Sequence, residues 1–373
     1  MNILALEPYY GGSHKAFIDG LAKASSHTWT LLTLPARKWK WRMRHSAISF
    51  ASQAAALVAE GGGWDVLFCS DMLNLAEFVA VAPAQVGRLA RVVYFHENQL
   101  TYPVRAADER DYQFAMTNLT SALAAEAVWF NSEFHLNSFL RALAKFLKSM
   151  PDYQPLEVIE KIGVKSSVYP PGIDDFPARK RRGLGPLRIL WAARWEHDKN
   201  PEDFFKALEI LKAENVPFRI SVIGQGFRDR PAVFDQAHHD FRDHIDLWGY
   251  QQSRHDYERA LFNADVVVST ASHEFFGISI VEAVAAGAYP LVPNRLSYPE
   301  ILGLGRIKGA EQFFYDGTVR DLADKLNRLA SRVEKNALWP ATIGPATLTE
   351  DLRWQNLVSR YDEALEETGL ITR

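Results

Sequence analysis

Cysteine is nearly absent. Cys69 is the single one in 373 residues, which excludes an intrachain disulfide and any cysteine-based zinc cluster. No uninterrupted apolar run reaches the ~18 residues that suggest a membrane span. The N-terminus runs straight into strand-like Ile3-Leu4-Ala5-Leu6-Glu7, without a basic n-region and cleavage site, so neither secretion nor membrane insertion is expected. A cytoplasmic location is. Acidic residues are missing from one long stretch: none occurs between Asp19 and Glu60, where Lys23, Arg37, Lys38, Lys40, Arg42 and Arg44 all fall. The formal net charge of −3 therefore does not exclude a polyanionic partner. With 47% hydrophobic and 23% charged residues the composition is that of an ordinary globular protein, and the length suits two domains.

Strand-like and helix-like segments alternate through the first half. Ile3–Glu7, Thr28–Leu34, Asp65–Ser70, Arg91–His96 and Ala127–Asn131 read as strands; Ala16–Ala24, Leu75–Ala82, Tyr112–Ala125 and Glu133–Lys148 read as helices. Such alternation predicts a parallel sheet covered on both faces, with ligands outside the carboxyl ends of the strands. Gly11-Gly12, Asp71 and His96-Glu97-Asn98 occupy those ends. Proline, glycine and charge then concentrate in Pro170-Pro171-Gly172 and Arg179-Lys180-Arg181-Arg182-Gly183. This composition marks a domain boundary.

After it the alternation restarts. Strands are expected at Leu187–Ala193, Arg219–Gly224, His244–Gly249, Asp265–Thr270 and Ala288–Val292, with helices at Pro201–Glu214, Asp256–Asn263 and Gly277–Ala286. An amphipathic helix at Glu350–Glu367 closes the pattern. The expected organisation is an α/β chain of two Rossmann-like domains facing across a cleft. It comprises a first domain over 1–174, a linker at 175–186, a second domain over 187–347, and a terminal helix in 348–373 that packs back on the first.

One stretch organises the second half: His273-Glu274-Phe275-Phe276-Gly277-Ile278-Ser279-Ile280-Val281-Glu282-Ala283. It follows a buried strand and opens a small-residue helix. A helix start leaves backbone N–H groups unpaired and carries partial positive charge, so it favours an anion. Gly277 removes the Cβ where a phosphate or sugar would approach. Upstream, Arg194 and Lys199 flank a strand end and precede the Pro201-started helix, placing two cations where a departing diphosphate gathers charge. On spacing alone, a plain αβ unit with surface acids, and a solvated loop with local ion pairs, explain both features equally well.

The combination decides between them. An N-terminal Gly-Gly loop, Arg-x4-Lys and Glu-x7-Glu in this order resemble the retaining glycosyltransferases of family 4, which have the GT-B fold. Ala193 and Asn200 stand where that family often has glycine. A narrower resemblance is carried by Leu4-Ala5-Leu6-Glu7-Pro8-Tyr9-Tyr10-Gly11-Gly12-Ser13-His14, Tyr94-Phe95-His96-Glu97-Asn98-Gln99-Leu100 and Phe130-Asn131-Ser132-Glu133-Phe134. These look like the tRNA-queuosine α-mannosyltransferases, which move mannose from GDP-mannose to queuosine in the anticodon loop of tRNA(Asp).

The resemblance implies roles. Glu274 and His96 would be the catalytic pair, at the sugar. Arg194, Lys199, Gly11 and Gly12 would meet the diphosphate, Glu282 the ribose hydroxyls, and Phe276, Gly277 and Ile278 the sugar or phosphate. Gly249 and Tyr250 would lie against the base. The departing phosphate can take the acceptor's proton in this class, leaving the protein to position groups and stabilise charge. A glycosidase is disfavoured: its carboxylates stand roughly 5–9.5 Å apart, whereas a fully helical Glu274–Glu282 would span about 12 Å along the axis. No Asp-x-Asp occurs and His238, His239 and His244 lack further ligands, so no metal or other cofactor is expected. Gly224-Gln225-Gly226 lacks the third glycine of a dinucleotide fingerprint.

On the acceptor side, Arg37, Lys38, Trp39, Lys40, Trp41, Arg42 and Arg44 interleave cations with indoles. Single-stranded RNA requires such a surface, with phosphate pairing beside flat platforms for unstacked bases. The segment is expected to be a loop gripping a tRNA anticodon stem-loop; a helix whose tryptophans face the core is the competing arrangement, and Arg179–Arg182 fit added phosphate contacts and a solvated linker equally well. Three alternatives stay open. A family 4 transferase could act on a lipid or polysaccharide, a silent RNA-binding module could retain the fold, and a nucleotide-sugar epimerase shares the architecture. No membrane association and no obligate protein partner are indicated.

Overall fold

The computed structural model describes the chain apart from 104–110, 178, 180–184, 228–229 and 372–373. Of the basic run expected at Arg179–Arg182, Arg179 alone is described; Lys180, Arg181 and Arg182 lie outside the described residues. The chain divides into two compact units, Met1–Asp174 together with Leu352–Arg373, and Asp175–Asp351.

The first unit holds six strands: β1 (Asn2–Tyr10), β2 (Thr28–Pro35), β3 (Val66–Ser70), β4 (Ala90–Phe95), β5 (Ala127–Phe130) and β6 (Ser166–Val168). They are parallel throughout, in the order β2-β1-β3-β4-β5-β6. Side chains alternate between two buried faces, as a sheet covered on both sides requires. Leu4, Leu6, Leu67, Cys69, Val93 and Phe95 enter one core; Ile3, Ala5, Val66, Phe68, Val92 and Tyr94 enter the other. The terminal helix Trp354–Leu370 covers the second of these cores with Trp354, Leu357, Tyr361 and Leu365. The Tyr361 hydroxyl donates to the carbonyls of Tyr169 and Pro170, at 3.0 and 2.9 Å, fastening the helix to the end of β6.

The second unit repeats the plan with β7 (Leu187–Ala192), β8 (Phe218–Ile223), β9 (Ile245–Gly249), β10 (Val266–Val268), β11 (Tyr289–Pro293) and β12 (Phe314–Tyr315). Their order is β12-β11-β10-β7-β8-β9, again parallel. Strand order reverses between β7 and β10, and in the first unit between β1 and β3. A crevice opens at such a switch point because the connections leave in opposite directions. Both switch points carry the candidate chemistry.

The structure departs from the sequence expectations at several places, of which three bear on the argument. The basic segment is not a loop: Lys38 takes a left-handed conformation (φ 54°) and a helix runs from Trp39 to Ala59. Its core residues, Met43, Ser46, Ala47, Phe50, Ala51 and Ala54, recur every three or four positions, which is helical spacing. Strand β12 has two residues, too few for a sequence pattern. The helix Val319–Glu334 was also not anticipated, although Thr318 caps it and Leu322, Leu326, Leu329 and Val333 line its buried face.

Candidate active site

In the second unit, β7 leads into Arg194 and, through one 3-10 turn, to Lys199; β10 leads into the Glu274 segment. The switch point thus brings Lys199 and Glu274 together. Lys199 is buried and its ammonium is fully engaged, donating to the His273 carbonyl at 2.8 Å and to Glu274 Oε2 at 3.3 Å, with Asp198 Oδ2 at 3.1 Å. Burial lowers the Lys199 pKa, but Glu274 and Asp198 outweigh it and the group is raised overall, so it stays charged. Burial likewise pushes the Glu274 carboxyl up, and Lys199 overrides that, holding it below the usual range. His273 is pushed down to about 4 by burial and by Lys199, and is neutral. Arg194 keeps a half-exposed guanidinium, 3.4 Å from Glu196.

Gly277 sits in the left-handed region (φ 87°) as the N-cap of the helix Ile278–Ala285, and no side chain caps that helix start. A side chain here would be strained by the backbone, and its Cβ would lie 2.9 Å from Tyr298. Phe276 is buried, and its carbonyl accepts from Ser297 at 3.2 Å. Glu274 stands before the helix, so a wholly helical Glu274–Glu282 spacing does not apply. Glu282 projects from the helix and is 8% exposed; Arg254 donates to one oxygen at 2.8 Å and Tyr257 to the other at 2.7 Å. Gly249 (φ 95°) ends β9, exposed Tyr250 follows it, and both border a pocket of about 440 Å³ with Trp195, Arg230, Asp235 and Trp248.

In the first unit, Gly11 and Gly12 start the helix Gly12–Ala24 directly after β1. A Cβ on Gly11 would lie 2.4 Å from that of Ala36, so the turn requires glycine for close approach. The same turn brings His14 back to β1, its Nδ1 3.3 Å from Glu7 Oε2. The His14 and His96 rings lie tilted against each other with centroids 4.0 Å apart. Asp71, at the end of β3, accepts the His96 backbone N–H at 2.9 Å, and its Oδ2 has no hydrogen-bond partner among the described residues. Burial lowers the His14 pKa, but Glu7 prevails and raises it to about 9; burial pushes Asp71 up to about 8. Burial and the His14 charge hold His96 well below its ordinary value, so it is a neutral imidazole. Glu7, His14 and His96 also present ligand atoms within 4.8 Å of one another, a geometry able to hold a divalent ion.

The basic helix start divides by burial. Arg37, Lys38, Lys40, Trp41 and Arg44 are exposed, Trp41 to 62%. Arg42 is buried instead, donating to the Pro35 carbonyl at 2.9 Å and contacting His45 at 2.7 Å. Trp39 packs on Phe114 beside Met43 and Met72. Arg42 and Trp39 therefore hold the helix, contrary to the exposed loop the sequence suggested.

Residues 2–173 match the family described as tRNA-queuosine alpha-mannosyltransferase N-terminal, and residues 173–339 match glycosyl transferases group 1. The tRNA-queuosine alpha-mannosyltransferase of Drosophila melanogaster is 38% identical over 312 residues, covering 80% of this chain and 81% of that protein. This chain belongs to the tRNA-queuosine α-mannosyltransferase family. It is a glycosyltransferase. Solved structures carry the fold further. Sucrose-phosphate synthase from Thermosynechococcus elongatus superposes with TM-score 0.72 at 13% identity over the full length of both chains. Anabaena HepE in complex with UDP gives 0.66 at 14% identity, covering 98% of this chain and all of that one. At such identities they establish the fold alone, of the GT-B class.

Several side chains of these two clusters escaped the sequence reading. Glu7 and His14 sit inside a quoted motif, but their pairing depends on a turn that no periodicity announces. Arg254 and Tyr257 are three apart on a polar helix and meet Glu282 only through tertiary packing. Asp198 is one of the two carboxylates enclosing Lys199, a local ion pair of the kind a solvated loop would also hold.

Proposed function

We propose that this enzyme transfers mannose from GDP-mannose, with retention of configuration, to queuosine in the anticodon loop of tRNA(Asp), in the cytoplasm and without a metal ion. The observation that carries the reading is family membership through a relative matching four-fifths of both chains, joined to a donor set in which Lys199, Glu274 and Glu282 are each held by hydrogen bonds. In this reading the uncapped helix start at Gly277 and the cations Arg194 and Lys199 receive the diphosphate. Phosphate binding draws Lys199 from carboxylates to a stronger anion, freeing Glu274 to orient the sugar hydroxyls.

His96 is suited to contact the transferring sugar because it is neutral, able to accept or donate one hydrogen bond without adding charge. No general base is needed if the leaving phosphate accepts the acceptor proton. The exposed Arg37, Lys38, Lys40, Arg44 and Trp41 supply phosphate pairing and one stacking platform for tRNA. Incubation with GDP-mannose or UDP-sugars and with queuosine-containing or queuosine-lacking tRNA, followed by nucleoside mass spectrometry, tests the reading. A hexose gained on queuosine from GDP-mannose alone is the expected result. Transfer from another donor, or to guanosine-bearing tRNA, overturns the corresponding part.

A further inference from the structure

The helix Arg254–Asn263 begins with Ser253, whose side chain accepts the Asp256 N–H, and so presents Arg254 and Tyr257 on one face, three residues apart. That face meets Glu282 on the helix Ile278–Ala285. Arg254 Nη1 donates to Oε1 at 2.8 Å and the Tyr257 hydroxyl donates to Oε2 at 2.7 Å. The guanidinium is itself fixed: its Nε lies 2.7 Å from Glu258, and its plane sits over the rings of Tyr257 and Phe176, at 5.4 and 5.9 Å. Burial, reinforced by Glu282, pushes the Tyr257 pKa well up, so its hydroxyl remains a donor.

An ionised carboxylate offers about four lone-pair sites. Arg254 and Tyr257 fill one on each oxygen, leaving about one on each. Two acceptor sites side by side match the paired hydroxyls of a cis-diol. We propose that Arg254 and Tyr257 are positioning residues that lock the Glu282 carboxylate in the orientation that receives the ribose 2′,3′-diol of the donor nucleotide. This rests on the reading of Glu282 as the ribose residue.

The clasp is separable from a merely structural one, because its effect must disappear when the diol does. Calorimetric titrations compare GDP with 2′,3′-dideoxy-GDP, with the UDP pair run alongside, against the full chain, Tyr257→Phe and Arg254→Gln. Removing the diol from the nucleotide should weaken binding to the unaltered enzyme by roughly 10–100-fold, the range of a hydrogen bond to a charged group. Tyr257→Phe should weaken the ribose nucleotide about tenfold and leave the dideoxy nucleotide unchanged, with donor KM raised, tRNA KM unaltered and thermal midpoint preserved. Arg254→Lys should retain part of what Arg254→Gln loses. Equal losses for both nucleotides would overturn the positioning role and leave a helix–helix tie. Failure of the unaltered enzyme to discriminate ribose from dideoxyribose would instead remove the assignment of Glu282 itself, a distinct outcome.

Discussion

Lys199 Nζ and Glu274 Oε2 lie 3.3 Å apart across 75 residues of chain, brought together where strand order reverses between β7 and β10. With Asp198 on its other side, the ammonium is enclosed by two carboxylates before any phosphate arrives. Removing a partner from a buried ion pair strands a charge and typically costs about 3–5 kcal/mol. Lys199→Met should therefore lower both the thermal midpoint and turnover. Adding Asp198→Asn should restore part of the midpoint while turnover stays at least ~100-fold down, as for other lost charge-stabilising groups. Recovery of activity along with stability would show that Lys199 is structural.

Much of this arrangement was legible in the sequence, for physical reasons. Strand–helix alternation specifies the parallel sheets, and Gly277 marks a left-handed turn that side chains resist. The division of labour within Arg37–Arg44 was not legible, because composition states which charges are present and not which way they face. Once Lys38 sets the helix start, Arg42 turns inward to the Pro35 carbonyl while Lys40 and Arg44 face out. The His14–Glu7 and Glu282–Arg254 pairs were invisible for a related reason. Each depends on where two elements dock, which no local pattern encodes.

That division predicts two kinds of variant. Replacing Arg37, Lys38, Lys40 and Arg44 with Ala should weaken tRNA binding and flatten its salt dependence, by roughly 0.7–0.9 in log–log slope for each lost phosphate contact. Trp41→Ala should lose about 1–3 kcal/mol of tRNA affinity if a base stacks there. Arg42→Ala should chiefly lower the melting temperature. Fluorescence anisotropy at several salt concentrations reads the first two effects; unchanged slopes would remove the segment from the tRNA surface.

Gly277→Ala tests the uncapped helix start without touching a charge. The left-handed backbone and a Cβ 2.9 Å from Tyr298 make the replacement strained, at a cost of about 1–3 kcal/mol. Donor KM should rise while tRNA affinity is unchanged. Removing the ring obstruction with Tyr298→Ala would not relieve the backbone term, so the double variant should remain impaired in donor binding.

Metal independence is tested at the cluster best able to bind an ion. Glu7, His14 and His96 could coordinate one, yet His14 and Glu7 already pair with each other at 3.3 Å. Turnover should survive exhaustive dialysis against EDTA, with no stoichiometric metal by elemental analysis of the purified enzyme. Loss of activity restored by one divalent ion, and abolished by His14→Ala, would place a metal there.

Alkaline pH should loosen the first unit through the same cluster. The His14 pKa is raised to about 9 because Glu7 outweighs burial, so its stabilising charge is fully present below the ordinary value of 6.5 and is lost as pH climbs through 9. Asp71, raised from 3.8 to about 8 by burial, acts in the same direction over a lower window: its stabilising neutral form is fully present below 3.8, and the contribution is lost as pH rises to 8. The melting temperature should therefore fall from about pH 4 to 9, with the His14 share lost between 6.5 and 9. Glu7→Gln removes the carboxylate that raises His14, so its alkaline edge should move to lower pH and its midpoint at neutral pH should drop. Lysine and tyrosine titrations elsewhere are common to both proteins, and the difference between the two curves isolates the pair. Superimposable pH profiles for Glu7→Gln and the unaltered enzyme would show that His14 is not held charged by Glu7.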